Sequence, residues 1–361
     1  MSALANKLMI TEPDIQTPAN TSDQRSQNAG LKVIVQTIRE VAEGIREFTL
    51  VSADGSALPA FSGGSHIVVS MPSGTRIYRN AYSLLSPPQQ RDHYRIAVRL
   101  QENSRGGSRF MHQEVKVGMA LEVAWPLNLF ALSRLARKQV LVAGGIGITP
   151  FMSQVQELLR QAQASQSAVL QTAGSKITPP DFELHYAYRS QDHAAYVPEL
   201  QALLGDRLKC YDQSQGVTLD IRQLLAEQPL GTHVYTCGPE GMVQALLQSA
   251  DELGWPPAHV HHEEFLAPPV GSPFTIKLAS SQQEVQVGAD QSMLEALEQA
   301  GVDAPYLCRG GACGRCELEV LSTDGTLEHH DHYLSAEEKR AGRKIMPCVS
   351  RARCDVIELN F

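Results

Sequence analysis

The stretch Pro305-Tyr-Leu-Cys-Arg-Gly-Gly-Ala-Cys-Gly-Arg-Cys-Glu317 constrains this chain more than any other. It puts Cys308, Cys313 and Cys316 in one loop, and a fourth cysteine, Cys348, lies downstream. Cys-X4-Cys-X2-Cys with a remote fourth cysteine is the spacing that holds a plant-type two-iron, two-sulfur cluster on four thiolates. Gly310, Gly311 and Gly314 suit such a loop, which must take backbone angles that side chains resist and bring amides close to sulfur. The alternatives are structural zinc and unrelated free thiols. Zinc favours two close pairs of ligands joined by a longer gap, so the reading is a 2Fe-2S cluster on Cys308, Cys313, Cys316 and Cys348.

At 361 residues the chain should divide into two or three domains. A net charge of −8 offers neither nucleic acid nor an anionic membrane an electrostatic footing. The sequence has no run of about 18 apolar residues, so no spanning helix is expected. The first ten residues lack the charged-then-apolar pattern of a signal peptide. The expected location is therefore the cytoplasm, where thiolates serve metals better than disulfides.

Residues 1–30, rich in Thr, Ser, Asn, Gln and Pro, have too few apolar groups to repay ordering and read as a flexible tail. Over residues 31–135 short strand-like runs recur between glycine pairs: Lys32-Val-Ile-Val-Gln-Thr-Ile38, Glu47-Phe-Thr-Leu-Val51, His66-Ile-Val-Val-Ser70, Tyr94-Arg-Ile-Ala-Val-Arg-Leu100 and Ala120-Leu-Glu-Val-Ala124. That pattern predicts an antiparallel β-barrel. Residues 136–265 change character. Val140-Leu-Val-Ala143 runs into Gly144-Gly-Ile-Gly-Ile-Thr-Pro150 and then a helical pattern over 151–160, with Thr149 as cap and Pro150 in the first turn. Further strands, Phe182-Glu-Leu-His-Tyr-Ala-Tyr188 and His233-Val-Tyr-Thr236, alternate with helices, which predicts an α/β domain on a parallel sheet. Residues 266–273 read as a linker. Residues 274–361 form a third, α+β domain, with a hairpin, a helix near 292–300 ended by Gly301, and the cysteine loop.

A glycine-rich turn between strand and helix aims amides at a phosphate, although alone it can be a tight structural turn. Beside an iron-sulfur cluster, a reduced nicotinamide is an economical electron source. Nicotinamide gives up two electrons together as hydride, whereas the cluster takes them singly. A flavin can mediate between the two, and the barrel is the place to seek it.

These residues resemble the phthalate dioxygenase reductase group of the ferredoxin-NADP reductase superfamily, which joins an FMN barrel, an NADH domain and a β-grasp ferredoxin domain in this order. The likeness covers about residues 31–361. It rests on Tyr82-Ser83-Leu84, Ser104-Arg-Gly-Gly-Ser108, Gly144-Gly-Ile-Gly-Ile-Thr-Pro150, Cys237-Gly-Pro239, Glu264-Phe265 and the four cysteines. The resemblance implies that Tyr82, Ser83 and Leu84 meet the flavin ring, with Ser83 on its N5 side, that Ala97 and Val98 border the ribityl chain, and that Arg105, Gly106, Gly107 and Ser108 bind its phosphate. Phe265 would cover the ring until nicotinamide displaces it. Thr149 and Cys237 would flank the nicotinamide, with Gly144, Gly145 and Gly147 near the dinucleotide phosphates and Pro150, Gly238 and Pro239 completing the two turns.

One position departs from the group's Arg-X-Tyr-Ser pattern, because Asn80 stands where the arginine is usual. Arg79, one residue earlier, can replace it only if a bulge or turn re-aims the side chain. Arg189 and Ser190 could hold a 2′-phosphate, but Asp192 disfavours one, so NADH is the expected donor. The implied partner is a separate Rieske-type oxygenase that hydroxylates or demethylates a small molecule and docks near the cluster loop, where Arg309 and Arg315 could steer it or simply be solvated. Another one-electron acceptor such as a haem protein, or a redox-sensing interaction protein, is the alternative. His259-Val-His-His262 and His329-His-Asp-His332 are expected as exposed loop histidines, and Cys210 and Cys354 as packing residues.

Overall fold

The computed structural model describes residues 30–74, 76–102, 104–171, 180–265 and 269–361, with only the backbone for 166–171. The expected tail lies outside these residues except for Gly30, as do residues 266–268 of the linker.

Strands β1 (Leu31–Ala42), β2 (Ile45–Ser52), β3 (His66–Ser73), β4 (Arg76–Ser83), β5 (His93–Arg99) and β6 (Ala120–Val123) form one antiparallel sheet in the order β4-β3-β6-β1-β2-β5. A bridge from Leu84 to Ile96 brings the two ends together and closes the barrel. Alternate residues Val33, Val35, Phe48, Leu50, Ile67, Val69, Tyr94, Ile96 and Val98 fill its core, as the strand period requires. No apolar run marks β4 in the sequence, because one face of that strand carries Tyr78, Asn80 and Tyr82 in place of aliphatic residues. The turn expected at Gly106-Gly107 instead starts a short helix, α1 (Gly107–Gln113).

The second sheet is wholly parallel. Its strands β7 (Lys138–Gly144), β8 (Asp181–Tyr188), β9 (Leu208–Asp212), β10 (Thr232–Cys237) and β11 (Val260–Glu263) lie in the order β11-β10-β7-β8-β9. Helices α2 (Thr149–Gln171), α3 (Val197–Leu204), α4 (Ile221–Ala226) and α5 (Glu240–Glu252) connect the strands. The strand order reverses at β7, between β8 and β10, and a crevice at such a switch point is where open α/β sheets take ligands. Thr149 is not the expected cap. It is already helical, its hydroxyl donates to the Ile146 carbonyl at 3.0 Å, and a 3-10 turn at Gly145–Ile148 leads straight into α2.

The third region has a mixed sheet of β12 (Phe274–Leu278), β13 (Glu284–Val287), β14 (Leu318–Thr323), β16 (Lys344–Ile345) and β18 (Val356–Leu359), plus a ribbon of β15 (Thr326–Glu328) and β17 (Arg351–Arg353). Helix α6 (Met293–Gln299) begins in a capping box, Ser292 accepting from the Glu295 amide while the Glu295 carboxylate accepts from the Ser292 amide. Its apolar face, Met293, Leu294, Ala296 and Leu297, covers the sheet, and α7 (Ala336–Ala341) follows the cysteine loop. The opposite face of α6 meets the barrel. Arg76 makes a bidentate pair with Asp290 at 2.6 and 2.8 Å, Arg105 donates to the Asp290 carbonyl at 2.8 Å and pairs with Glu295, and Arg79 reaches Glu298 at 3.1 Å. Among the described residues no helix is long and apolar enough to cross a membrane.

Candidate functional site: a cleft shared by three domains

The cysteine loop gathers its thiols as two close pairs. Cys316 and Cys348 lie 3.3 Å apart, sulfur to sulfur, among the buried side chains of the third domain. Cys308 is buried and Cys313 is half-buried at the surface. The Cys308 thiol is drawn down to about 5 by a hydrogen bond from Cys313, against its burial, and then by the amides of Gly310, Ala312 and Cys313. Cys313 is pushed up by the same hydrogen bond and by burial, Cys316 is lowered by Cys348, and Cys348 is raised by Cys316. Four thiols that share protons in pairs at close range are a donor set that a cationic iron centre would satisfy. At Gly314 the chain turns with φ +72, and a Cβ there would lie 2.2 Å from the Tyr333 ring, so this position admits only glycine.

A cavity of about 320 Å³ opens beside the loop, and all three domains line it: Ser83 and Asn80 from the barrel, Thr149 and Glu263 from the parallel sheet, Cys308 and Cys348 from the cysteine domain. Buried against it, the Ser83 hydroxyl and His66 Nε2 have no hydrogen-bond partner among the described residues. Burial holds His66 neutral, drawing it down to about 4. Tyr82 is half-buried on the same strand, and its hydroxyl accepts from Asn80 at 3.2 Å. Ala97 lines the cavity, whereas Val98 and Leu84 point into the barrel core. A hydroxyl donor without a partner, at the wall of a wide and largely apolar space, fits a planar ring with acceptor nitrogens.

Two arginines expected at the flavin phosphate, Arg79 and Arg105, line the cavity, and each is also engaged by a carboxylate of the third domain. The β3–β4 register runs unbroken from His66 opposite Ser83 to Ser73 opposite Arg76, so no bulge re-aims Arg79. Its side chain leaves on the face opposite Asn80 and Tyr82 and is engaged by Glu298. The Arg105 guanidinium is likewise occupied, by Glu295 and Asp290. Beside them at that end of the cavity is the start of α1. Ser108 bonds to Ser104 at 3.0 Å, and Gly107 lies against the Asn80 amide so closely that a Cβ would meet it at 2.4 Å. Arg99, exposed at the end of β5, also lines the cavity; nothing in the apolar pattern of that strand had marked it.

At the switch point the turn after β7 and the turn after β10 touch. A Cβ on Gly147 would lie 2.1 Å from the Cys237 carbonyl oxygen, and one on Gly144 would lie 2.6 Å from the Pro239 ring; Gly145 instead has φ +53 and faces open space. Gly147→Ala therefore forces two backbone segments apart. We expect it to destabilise the protein by about 3 kcal/mol, at the upper end of overpacking costs, and to weaken nicotinamide binding, as read by denaturant unfolding and by NADH titration. Cys237 packs into the core beneath the cavity, its thiol pushed well up by burial and by the nearby Glu263 and Glu264. Sequence reasoning missed Glu263, whose buried carboxyl is pushed up to about 8 by desolvation and so stays protonated at neutral pH. Phe265, half-exposed, stands at the cavity's edge.

The match to known families follows the same division. Residues 276–353 match the 2Fe-2S iron-sulfur cluster binding domain, and residues 127–260 match the N-terminal domain described as dimethylamine monooxygenase subunit DmmA-like. The solved structure of phthalate dioxygenase reductase, described as modular for electron transfer from pyridine nucleotides to [2Fe-2S], superposes with a TM-score of 0.78 at 31% identity, covering 94% of this chain and 100% of that one. The chain belongs to the phthalate dioxygenase reductase family. Among curated relatives of this reductase, the haem-dependent oxidative N-demethylase beta subunit of Ectopseudomonas mendocina (strain ymp) is 49% identical over 89% of this chain and 96% of its own. The carnitine monooxygenase reductase subunit of Escherichia coli (strain K12) is 41% identical over 89% and 95%. The reductase is thus an oxidoreductase component of a multicomponent oxygenase system, with a 2Fe-2S domain at its C-terminal end.

The remaining expectations divide. The Arg309 side chain is largely covered at the cavity wall, lying over the Tyr306 ring at 3.9 Å and paired with Glu298. Arg315 is exposed. His330 and His332 are exposed in a loop as expected, but the other histidine segment is not a loop. His261 and His262 sit in β11, and His233 stacks on His259 and His261 with ring centroids 4.1 and 5.3 Å apart. Cys210 and Cys354 pack against their domain cores.

Proposed function

We propose that this reductase takes hydride from NADH on an FMN held in the three-domain cavity and delivers electrons through the cluster to a separate haem-dependent oxygenase component that demethylates an N-methylated amine. The observation that carries the reading is the shared wall, where Ser83, Thr149, Cys308 and Cys348 border one space. Bound there, a flavin supplies the conversion between a two-electron donor and a one-electron acceptor. The residues position it. Ser83 offers its free hydroxyl to the ring, Tyr82 and Asn80 brace one side, Ala97 borders the chain, and the Gly106–Ser108 amides with Arg99 take the phosphate in place of Arg79 and Arg105. On the nucleotide side, Gly144, Gly145 and Gly147 with Pro150 form the dinucleotide turn, and Gly238 and Pro239 bring the second turn against it. Thr149 flanks the nicotinamide from the cavity wall, Cys237 backs it from beneath, and Phe265 covers the ring until it is displaced. Asp192, in the turn after β8, disfavours a 2′-phosphate and so supports NADH. Four free thiols gathered for a metal suit a reducing cytoplasm.

The resemblance implies a Rieske-type acceptor, but the higher identity to the haem-dependent demethylase subunit favours a haem protein, and the DmmA-like match supports an N-methylated amine as its substrate. The partner would dock over the half-buried Cys313, on a face where Leu307, Ala312, Arg315 and Tyr333 are exposed. The test is anaerobic. NADH-reduced reductase is mixed with the catalytic subunit of the E. mendocina demethylase or with the oxygenase component of the E. coli carnitine system. We expect faster reduction of the haem, read at its Soret band. Preferential reduction of the carnitine oxygenase would overturn the choice of the haem-dependent demethylase as partner, and absence of NADH-driven flavin bleaching would remove the electron path altogether.

A further inference from the structure

In the wall of that same cavity, two histidine-bearing segments far apart in sequence meet across a domain boundary. His262 and Glu264 lie two positions apart at the end of β11, which places them on one side of an extended chain. His332 comes from the turn that follows β15 in the cysteine domain. One ligand atom from each of the three lies within 4.8 Å of the other two, and Glu264 Oε2 is already 3.6 Å from His332 Nε2. The other Glu264 oxygen is buried and lacks a hydrogen-bond partner among the described residues. The His262 and His332 rings stand edge to face, 5.8 Å between centroids.

We infer that His262, Glu264 and His332 form a binding site for a divalent first-row cation of the zinc type, bridging the nucleotide domain and the iron-sulfur domain. Two imidazoles and a carboxylate are a donor set zinc accepts, with water in the fourth position, and bonds of about 2.0–2.2 Å place ligand atoms roughly 3.4 Å apart in a tetrahedron. A separation at the 4.8 Å limit therefore has to shrink by about 1.4 Å. Exposed His332 can supply that movement.

The site reaches the chemistry through the backbone. The His332 amide donates to the Gly311 carbonyl at 3.1 Å, inside the cysteine loop, and Gly311 packs against Asp331. On the other side, Glu264 precedes Phe265 at the cavity's edge. An ion held here ties the end of β11 to the cluster loop and closes that edge, so zinc inhibits NADH-driven turnover. Only this inhibitory effect rests on the electron path proposed above; the binding site does not.

The experiment uses full-length holoprotein, with flavin and cluster absorbance checked before and after, so that vacant cluster cysteines cannot capture the metal. Isothermal titration with zinc chloride is expected to show one site per chain. His332→Ala and Glu264→Gln should weaken binding by more than the roughly 10-fold that loss of a supporting group already costs. Zinc should slow cytochrome c reduction in the wild type and lose that effect in both variants. Equal zinc affinity in the wild type and both variants, or no uptake by holoprotein, overturns the site. Uptake that depends on these residues but leaves turnover unchanged supports the site and overturns the inhibitory clamp. Failure of NADH to reduce the flavin in metal-free wild type would instead indict the electron path.

Discussion

In Cys313→Ser, NADH is expected to bleach the flavin at the wild-type rate while cytochrome c reduction falls to background and iron is lost from the protein. The separation follows from where the four cysteines sit. Cys316 and Cys348 are built into the core with Leu318, Ile345 and Val349, so replacing either one disturbs packing as well as ligation. Cys313 is the half-buried ligand at the surface, and its loss removes a thiolate while leaving the core intact. A serine hydroxyl keeps the shape but ionises far less readily than a thiol, which makes it a poor ligand for a cluster held on thiolates. The barrel and the nucleotide turn contribute no ligand to the cluster, so flavin reduction should not change. Stopped-flow spectra at the flavin bands, cytochrome c assays and iron analysis on one preparation make the comparison. Cytochrome c reduction that survives without iron would mean that electrons leave directly from the flavin and that the cluster is not on the path.

How much of this was readable beforehand depended on whether the chemistry was local in sequence. The cysteine loop, the turn at Gly144–Gly147 and the Tyr82-Ser83 pair each carry their meaning within a few residues, because ligand spacing and strand-to-helix turns are short-range constraints. The parallel sheet was legible from alternation of patterns, but β9 and β11 were not. Leu208–Asp212 is short and half-exposed, and Val260–Glu263 is built around histidines. The contacts that seat the iron-sulfur domain join residues about two hundred positions apart, Arg76 to Asp290 and Arg79 to Glu298, and no periodicity encodes them. That explains why Arg79 was considered for the flavin phosphate and Arg309 for a docking face. In sequence an arginine beside a motif looks available, and only packing shows that a carboxylate has already engaged it. Glu263 was invisible for the same reason, since its neutrality comes from burial rather than from neighbours in the chain.

Glu298→Ala should have a larger effect on stability than removal of either partner of the Arg76–Asp290 pair at the barrel contact. The Arg76–Asp290 pair is bidentate, but both side chains keep about a third or more of their surface in water, 32% and 44%. Exposed pairs of that kind contribute about 0–1 kcal/mol. Glu298 is different. It receives Arg79 at 3.1 Å and both ends of the Arg309 fork, and the Arg309 side chain is only 6% exposed. Burial works against the Arg309 charge, yet the hydrogen bonds and charge of Glu298 more than offset it and hold the guanidinium above its ordinary pKa. Truncating Glu298 leaves a largely covered cation over the Tyr306 ring without its carboxylate, and breaking a buried pair from one side costs about 3–5 kcal/mol. Glu298→Gln keeps an acceptor and should fall between. Pairing the lesion with Arg309→Met, which removes the stranded charge, should recover most of the loss, because the penalty belongs to the unpaired cation and not to the missing carboxylate. Arg309 follows Cys308 directly and has φ 55, so releasing it also frees the first turn of the cluster loop. Slower flavin-to-cluster electron transfer should therefore accompany the lower unfolding midpoint. A denaturation shift of about 1 kcal/mol or less in Glu298→Ala, with no recovery in the double variant, would show that Arg309 finds water or another partner and that Glu298 does not seat the domain.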